Sequence, residues 1–471
     1  MGAVCSIARN QSLGNPSSTQ VECSKRQRVS TFDIDERPRI FSCLPDEVSM
    51  QILGRVPRGC YSNLRMVSKT WNYVLRDSEI FKLRKELGLT EEWLYILLKD
   101  EEEKLQWHAL DPLSGRWNSL PPMPDIVHEE ECSQAVSGWS LWNAMGNTTI
   151  RLLSSIVKGW FGRKDSLDRT PFCGCAVGSL DGCLYVLGGF SKACAMRCVW
   201  RYDPQINVWT EVASMTTARA YCKTASLNNR LYAVGGVNRG RGGLAPLKSA
   251  EAYDPVTNTW TQISSMPFAR SHIPPTAFLA DMLKPIATGM TTLGGKLYVP
   301  QSLYSWPFFV DVGGEVYDPA VDSWTDMPNG MGEGWPARQA GTKLSVVVNG
   351  NLYALDPSSS LGSGKIKIYD PLEDAWKVVL RKVPVLGFTD SESPYLLAGF
   401  LGKLHVITKD NRDDIAVLQA DTSKPASTSS SLSSSSSSSA DSSDSEGDCW
   451  KSIASKSFGY VELVSCQVLD I

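Results

Sequence analysis

The sequence predicts a mainly β chain, a six-bladed β-propeller preceded by a small domain of three helices. Three observations carry this. An eight-residue pattern, fullest as YDPVTNTW over residues 253–260, recurs as LDPLSGRW ending at Trp117, YDPQINVW at Trp209, YDPAVDSW at Trp324 and YDPLEDAW at Trp376. A second pattern precedes it, Leu184-Tyr185-Val186-Leu187-Gly188-Gly189 and Leu231-Tyr232-Ala233-Val234-Gly235-Gly236, with weaker copies at Leu297-Tyr298-Val299 and Leu352-Tyr353-Ala354-Leu355. Ahead of both, residues 40–83 change texture to apolar steps of three and four.

The helical segment comes first. Val48, Ile52 and Val56 step by four, Pro45 with Asp46 and Glu47 suits a first turn, and Pro57 stops the helix. Tyr61, Leu64, Val67, Trp71 and Val74 continue in threes and fours, which predicts a second, almost unbroken helix. Asp77-Ser78-Glu79 reads as a cap before a third short helix through Leu83. Helices over ~45 residues bury too little to stand alone, so a partner is expected to complete their core.

The repeats follow. Asp accepts from its own backbone, Pro presets φ, and the third residue after Pro (Gly115, Asn207, Asn258, Asp322, Asp374) is of a type that tolerates the left-handed region. Apolar flanks make each copy a turn between antiparallel strands. A tight turn such as Asp181-Gly182, Asn228-Asn229, Gly294-Gly295 or Asn349-Gly350 precedes the second pattern. One unit is therefore strand a, turn, strand b with paired glycines, connection, strand c, turn, strand d with Trp, and four strands every ~50 residues make a blade.

In the first blade, residues 93–97 and 105–110 serve as strands b and c. In the last, residues 395–400, 404–407 and 415–418 serve as a, b and c, and Trp450 marks d after a long insertion. The markers Trp117, Trp209, Trp260, Trp324, Trp376 and Trp450 count six blades. The first lacks strand a, and residues 461–468 are left over; they are expected to close the ring as its innermost strand rather than form a separate C-terminal hairpin. The domains are a disordered tail over 1–37, helices over 38–85 and the propeller over 86–471, interrupted by an insertion at 125–169 and a serine-rich, disordered loop at 423–447.

The paired glycines, spaced Tyr and Trp, and unit length resemble the kelch repeat. Leu44-Pro45-Asp46-Glu47, Ile52-Leu53, Val56-Pro57 and Leu64-x-x-Val67-Ser68-Lys69-x-Trp71 resemble an F-box. In series they are similar to the plant F-box/kelch-repeat family over about residues 38–420, least in the last blade, where neither paired glycines nor YDP survives. The resemblance implies that Leu44, Pro45, Ile52, Leu53, Val56, Leu64, Val67 and Trp71 contact an SKP-type adaptor, some of them also holding the helices together. Through that adaptor the chain would join a cullin ubiquitin ligase and present a protein target. The plainer alternative is a helical hairpin packed on the propeller.

Strand alternation sorts the connections by face: b–c and d–a lie on one, a–b and c–d on the other. The longer connections, 125–169, 237–248, 266–285, 301–312 and 325–341, fall mostly on the first, the expected target platform. Its candidates are Arg239 and Arg241 on a glycine-rich loop suited to carboxylates or phosphates, Arg270 and His272, and the aromatic anchors Tyr304, Trp306 and Phe308. For each, a solvated cation or a locally packed ring is the plainer alternative. Within the insertion Ile150, Leu153, Val157 and Trp160 step helically, either for a partner or membrane surface or against the propeller side.

Composition narrows the function classes. With 42% hydrophobic and 21% charged residues and a net charge of −3, the chain has no field favouring nucleic acid or anionic membrane. No apolar run reaches the ~18 residues of a membrane helix, and MGAVCSIARN lacks the apolar core of a secretory signal. Thirteen cysteines, an odd number, read as reduced thiols of an intracellular protein, cytoplasmic and/or nuclear. Cys173, Cys175, Cys183, Cys194 and Cys198 cluster without the paired knuckles of a zinc module, and no hydrolase or phosphate-loop motif is present. No metal, cofactor or catalysis is expected.

Gly2 fits the N-myristoylation pattern, with Cys5 as acceptor of a second lipid, against a plain unstructured start; acylation would add a weakly membrane-associated fraction. In the serine tract, Ser443 and Ser445 have acidic residues three positions on, which suits acid-directed phosphorylation, against a passive linker. The expected function is the non-catalytic target receptor of a ubiquitin ligase. The alternative is a ligase-independent propeller scaffold or small-molecule sensor.

Overall fold

The computed structural model describes residues 39–124, 172–191, 194–240, 243–267, 285–305, 308–337, 343–357, 364–385, 394–421 and 449–471. The tail at 1–37, the insertion at 125–169 and the serine-rich loop at 423–447 lie outside them. Six antiparallel sheets form the blades. Blade 2 is Ala176–Leu180, Cys183–Leu187, Val199–Asp203 and Val208–Val212, and blade 3 is Lys223–Leu227, Arg230–Val234, Ala250–Asp254 and Thr259–Ile263. Blade 5 is Ser345–Val348, Asn351–Asp356, Gly364–Asp370 and Ala375–Val383, and blade 6 is Tyr395–Phe400, Lys403–Lys409, Ile415–Ala420 and Trp450–Lys456. In blade 4, Thr291–Leu293 and Pro285–Ala287 both pair with strand b, Lys296–Ser305, which continues to Phe308–Asp318 and Ser323–Asp326.

Blade 1 takes its innermost strand from the far end of the chain. Val461–Asp470 pairs antiparallel with Glu92–Asp100, from Glu92↔Asp470 to Asp100↔Val461, and Leu105–Leu110 and Trp117–Ser119 complete the sheet. The expected ring closure is therefore present, and the innermost strands neighbour one another in cyclic order. Apolar side chains on both faces of each blade fill wedges between neighbours. Trp93, Tyr95, Leu184 and Tyr202 share the wedge of blades 1 and 2, and Leu94, Ile96, Phe400 and Ile407 that of blades 6 and 1.

The N-terminal domain has four short α-helices, α1 (Asp46–Gly54), α2 (Tyr61–Leu64), α3 (Lys69–Val74) and α4 (Ser78–Glu86), with a 3-10 turn at Arg58–Cys60. The expected second helix is broken in two. Ser68 is extended (φ −157°, ψ 163°) and its side chain accepts from Trp71 N, so it caps a new helix instead of continuing the old one. Asp77 caps α4 by accepting from Glu79 N at 3.1 Å.

Candidate binding surfaces

Burial sorts the eight residues assigned to an adaptor. Leu53 is 1% exposed, in a core with Tyr61, Leu75, Ile80 and Phe81, and so is one of the set that holds the helices together. Val56, Leu64 and Trp71 pack half-buried against that core, and Trp71 also stacks on Phe41 and donates to Ile40 O at 2.9 Å. Leu44 is half-buried and Pro45 exposed, while Ile52 and Val67 are 42% and 61% exposed. Val48, Met66 and Tyr73 are exposed as well. Met66 and Tyr73 lie off the spacing of Tyr61, Leu64, Val67, Trp71 and Val74, Met66 in the break between α2 and α3 and Tyr73 within α3.

The helices meet the propeller on one face. Arg58 Nη2 donates to Pro204 O and Arg65 Nη2 to Gln205 O, both in the c–d turn of blade 2. Gly59 fits against the c–d turn of blade 1, where a Cβ would lie 2.6 Å from Asp111 Oδ2, and Lys85 reaches Asp181 in an a–b turn. Arg84, 2% exposed, donates to Gly54 O, Val56 O and Leu89 O and pairs with Glu91 at 2.8 Å. Burial holds the Arg58 guanidinium below its usual value. These propeller partners belong to a–b or c–d turns, so the face of b–c and d–a connections is opposite the helices.

That opposite face is uneven. In blades 1 and 6 the b–c connection is a tight turn, closing at Lys99↔Leu105 and Lys409↔Ile415. Blades 2, 3 and 4 instead carry hairpins: Phe190–Ser191 with Cys194–Ala195, Val237–Gly240 with Gly243–Pro246, and the extension of blade 4 to Ser305↔Phe308. The segments expected to be loops at 237–248 and 301–312 are therefore largely strand, as the glycine-rich and aromatic runs pair across tight tips. Arg239 lies on the backbone of the blade 3 hairpin, and Tyr304 and Phe308 flank the tip of the blade 4 hairpin. Arg241, Arg270, His272, Trp306, Gly2 and Cys5 lie outside the described residues.

The side chains that mark the repeat in the sequence also join the blades. In blades 2 to 5 the Trp of strand d donates its Nε1 to the exit of the preceding blade: Trp209 to Pro121 O, Trp260 to Ala213 O, Trp324 to Ser264 O and Trp376 to Met331 O, at 2.7–3.0 Å. The residue predicted to take positive φ does so in all five copies (Gly115, Asn207, Asn258, Asp322, Asp374). In blades 3 to 5 its side chain accepts both from the Tyr of its own turn and from a backbone N–H of the preceding blade, as Asn258 does from Tyr253 at 2.9 Å and Ala213 N at 3.0 Å. Among the described residues, the buried indole nitrogens of Trp117 and Trp450 have no partner, so this clasp is not seen in blades 1 and 6.

Arg219 and Glu251 form a fully buried pair at 2.6 Å. Arg219 also donates to Gly235 O and Ser249 O, and Glu251 accepts from Thr216 N and Thr217 N. The spacing Met215 to Arg219 recurs as Met266 to Arg270, and Glu251-x-Tyr253 as Glu315-x-Tyr317.

Burial pushes the thiols of Cys175 and Cys466 up to about 12 and those of Cys183, Cys198 and Cys222 up to about 11, so they are protonated at neutral pH. No cluster of three or more metal-ligating side chains occurs among the described residues. Cys194 is disulfide-bonded, which corrects the expectation of reduced thiols throughout.

Residues 41–83 match the F-box domain, and residues 171–216 and 218–267 each match the Kelch motif. The chain is 57% identical over 481 residues, all of both chains, to the F-box/kelch-repeat protein At1g22040 of Arabidopsis thaliana. It is 28% identical to the F-box/kelch-repeat protein At1g30090 of the same plant, over 66% of this chain and 63% of that one. It is also 25% identical to the F-box protein AFR, over 67% and 68%.

Proposed function

The chain belongs to the plant F-box/kelch-repeat family, and from that premise we propose that it is the target receptor of an SKP–cullin–F-box ubiquitin ligase. Its F-box binds the SKP-type adaptor, and its b–c face binds a protein destined for ubiquitination. The observation that carries this is the division of faces. The helices sit on the a–b and c–d turns and leave Val48, Ile52, Met66, Val67 and Tyr73 exposed, while the raised hairpins of blades 2 to 4 stand on the far side. An apolar surface exposed on so small a domain suits a partner that completes its core. The chain supplies no chemistry; it raises the local concentration of target lysines beside the ubiquitin-loading enzyme. It works in the cytoplasm or nucleus, with a membrane-bound fraction if Gly2 is acylated.

Co-purification with an SKP-type adaptor tests the reading. Ile52→Glu with Val67→Glu is expected to weaken capture at least ~100-fold, as buried charges do at an interface core, while leaving the melting temperature unchanged. Unchanged capture would reject the adaptor role. Proximity labelling with Arg239→Ala and Arg241→Ala tests the platform separately: loss of neighbours supports it, and an unchanged set counts against it.

A further inference from the structure

We infer that the orientation of the F-box on the propeller is coupled to closure of the ring, through Glu91. This residue stands between α4 and the first strand of blade 1, and its backbone and side chain serve different parts of the molecule. The backbone holds the last residue: Glu91 N donates to Ile471 O at 2.9 Å and Ile471 N donates to Glu91 O at 3.0 Å, one pair beyond Glu92↔Asp470. The side chain holds the F-box: Oε1 accepts from Arg58 N at 2.9 Å and from Arg84 Nη2 at 2.8 Å. Oε2 accepts from Trp93 Nε1 at 3.2 Å, which fixes the rotamer from the propeller side.

Both grips depend on the same short backbone. Ile471 is 6% exposed and packs with Trp93 and Leu469 in the wedge of blades 1 and 2, so its docking orders residue 91 as well as the strand end. Without it, the N–H and C=O of Glu91 lose their ladder partners and the carboxylate is no longer held at Arg58 and Arg84. Arg84 is then a buried guanidinium without its carboxylate, a state that drives rearrangement. The remaining anchors on the blade 2 turn come from Arg58 and Arg65, in the segment that Glu91 holds. A complete ring therefore presents the F-box at one angle, and a chain whose last strand is undocked presents it loosely. The coupling holds whichever face binds the target.

Hydrogen exchange on the full chain tests this with Glu91→Ala, Glu91→Gln and deletion of Ile471, which leaves Val461–Asp470 in place. Exchange over residues 54–65 is expected to quicken about tenfold in the deletion and in Glu91→Ala, the loss of one or two hydrogen bonds' worth of protection, and by less in Glu91→Gln. Blades 3 to 5 stay unchanged. The inference fails if the deletion leaves residues 54–65 protected, or if exchange quickens equally in blades 3 to 5, which would mean general loosening.

Discussion

Asn258 concentrates in one side chain what the repeat asks of a turn. Its φ of 52° lies in the left-handed region, and its Oδ1 accepts from Tyr253 within the blade and from Ala213 N of the blade before. Asp322 and Asp374 do the same in blades 4 and 5, so a carboxylate is an equivalent acceptor. Hydrogen bonding holds both carboxyls below the usual range despite the opposing effect of burial. Asn258→Ala forfeits both acceptor contacts and pays for positive φ, and is expected to lower unfolding free energy by about 2–3 kcal/mol. Asn258→Asp should cost under about 1 kcal/mol, since only the charge differs. Urea denaturation checks both, and equal losses would mean that the conformation, not the clasp, needs Asn.

A blade's value to its neighbour is set at the level of the element. Exits of strand d receive the next blade's Trp and turn side chain, while paired glycines let strand b pass close to the following d–a connection: a Cβ on Gly188 would collide with Arg219 O. Arg219→Ala leaves Glu251 buried with its charge uncompensated, which costs about 3–5 kcal/mol. Arg270 stands at the same spacing after its methionine, so Arg270→Ala is expected to lower the melting temperature comparably. A fully stable Arg270→Ala protein that loses its target would instead support its place on the platform.

At the scale of the whole molecule, the ring has a distinctive seam where its ends meet. Among the described residues blades 6 and 1 lack the tryptophan clasp; there the C-terminal strand closes the ring and Phe458 packs against His108 and Trp117 at 4.4 and 5.7 Å. His108 and His405, on either side of the closure, are buried, and burial pushes both down to about 4; the charge of Lys456 adds to the shift at His108, while the hydrogen bond to Lys403 O opposes it at His405. The folded state thus keeps them neutral while the unfolded chain protonates near 6.5. Stability is intact above pH 6.5 and falls as pH drops to about 4, by up to about 3 kcal/mol for each histidine. Urea midpoints from pH 7.5 to 4.5 should fall for the native chain and flatten for His108→Gln with His405→Gln. A flat native profile would show that the seam histidines are not held neutral.

Much of this architecture is legible in sequence because it is local. An Asp-Pro turn with a left-handed residue three places after Pro is determined by a few neighbouring backbone torsions, so five copies announced the strand register, and the register announced six blades and a missing strand. Distance along the chain hid the rest. Glu91 and Ile471 are adjacent only because the ring closes, and the blade 2 turn becomes a socket only because Arg58 and Arg65 fold onto it. Burial likewise belongs to packing: Leu53 and Val67 look equivalent as apolar positions, yet one is 1% and the other 61% exposed. Periodicity tells which residues share a face, and tertiary contact alone decides what covers that face.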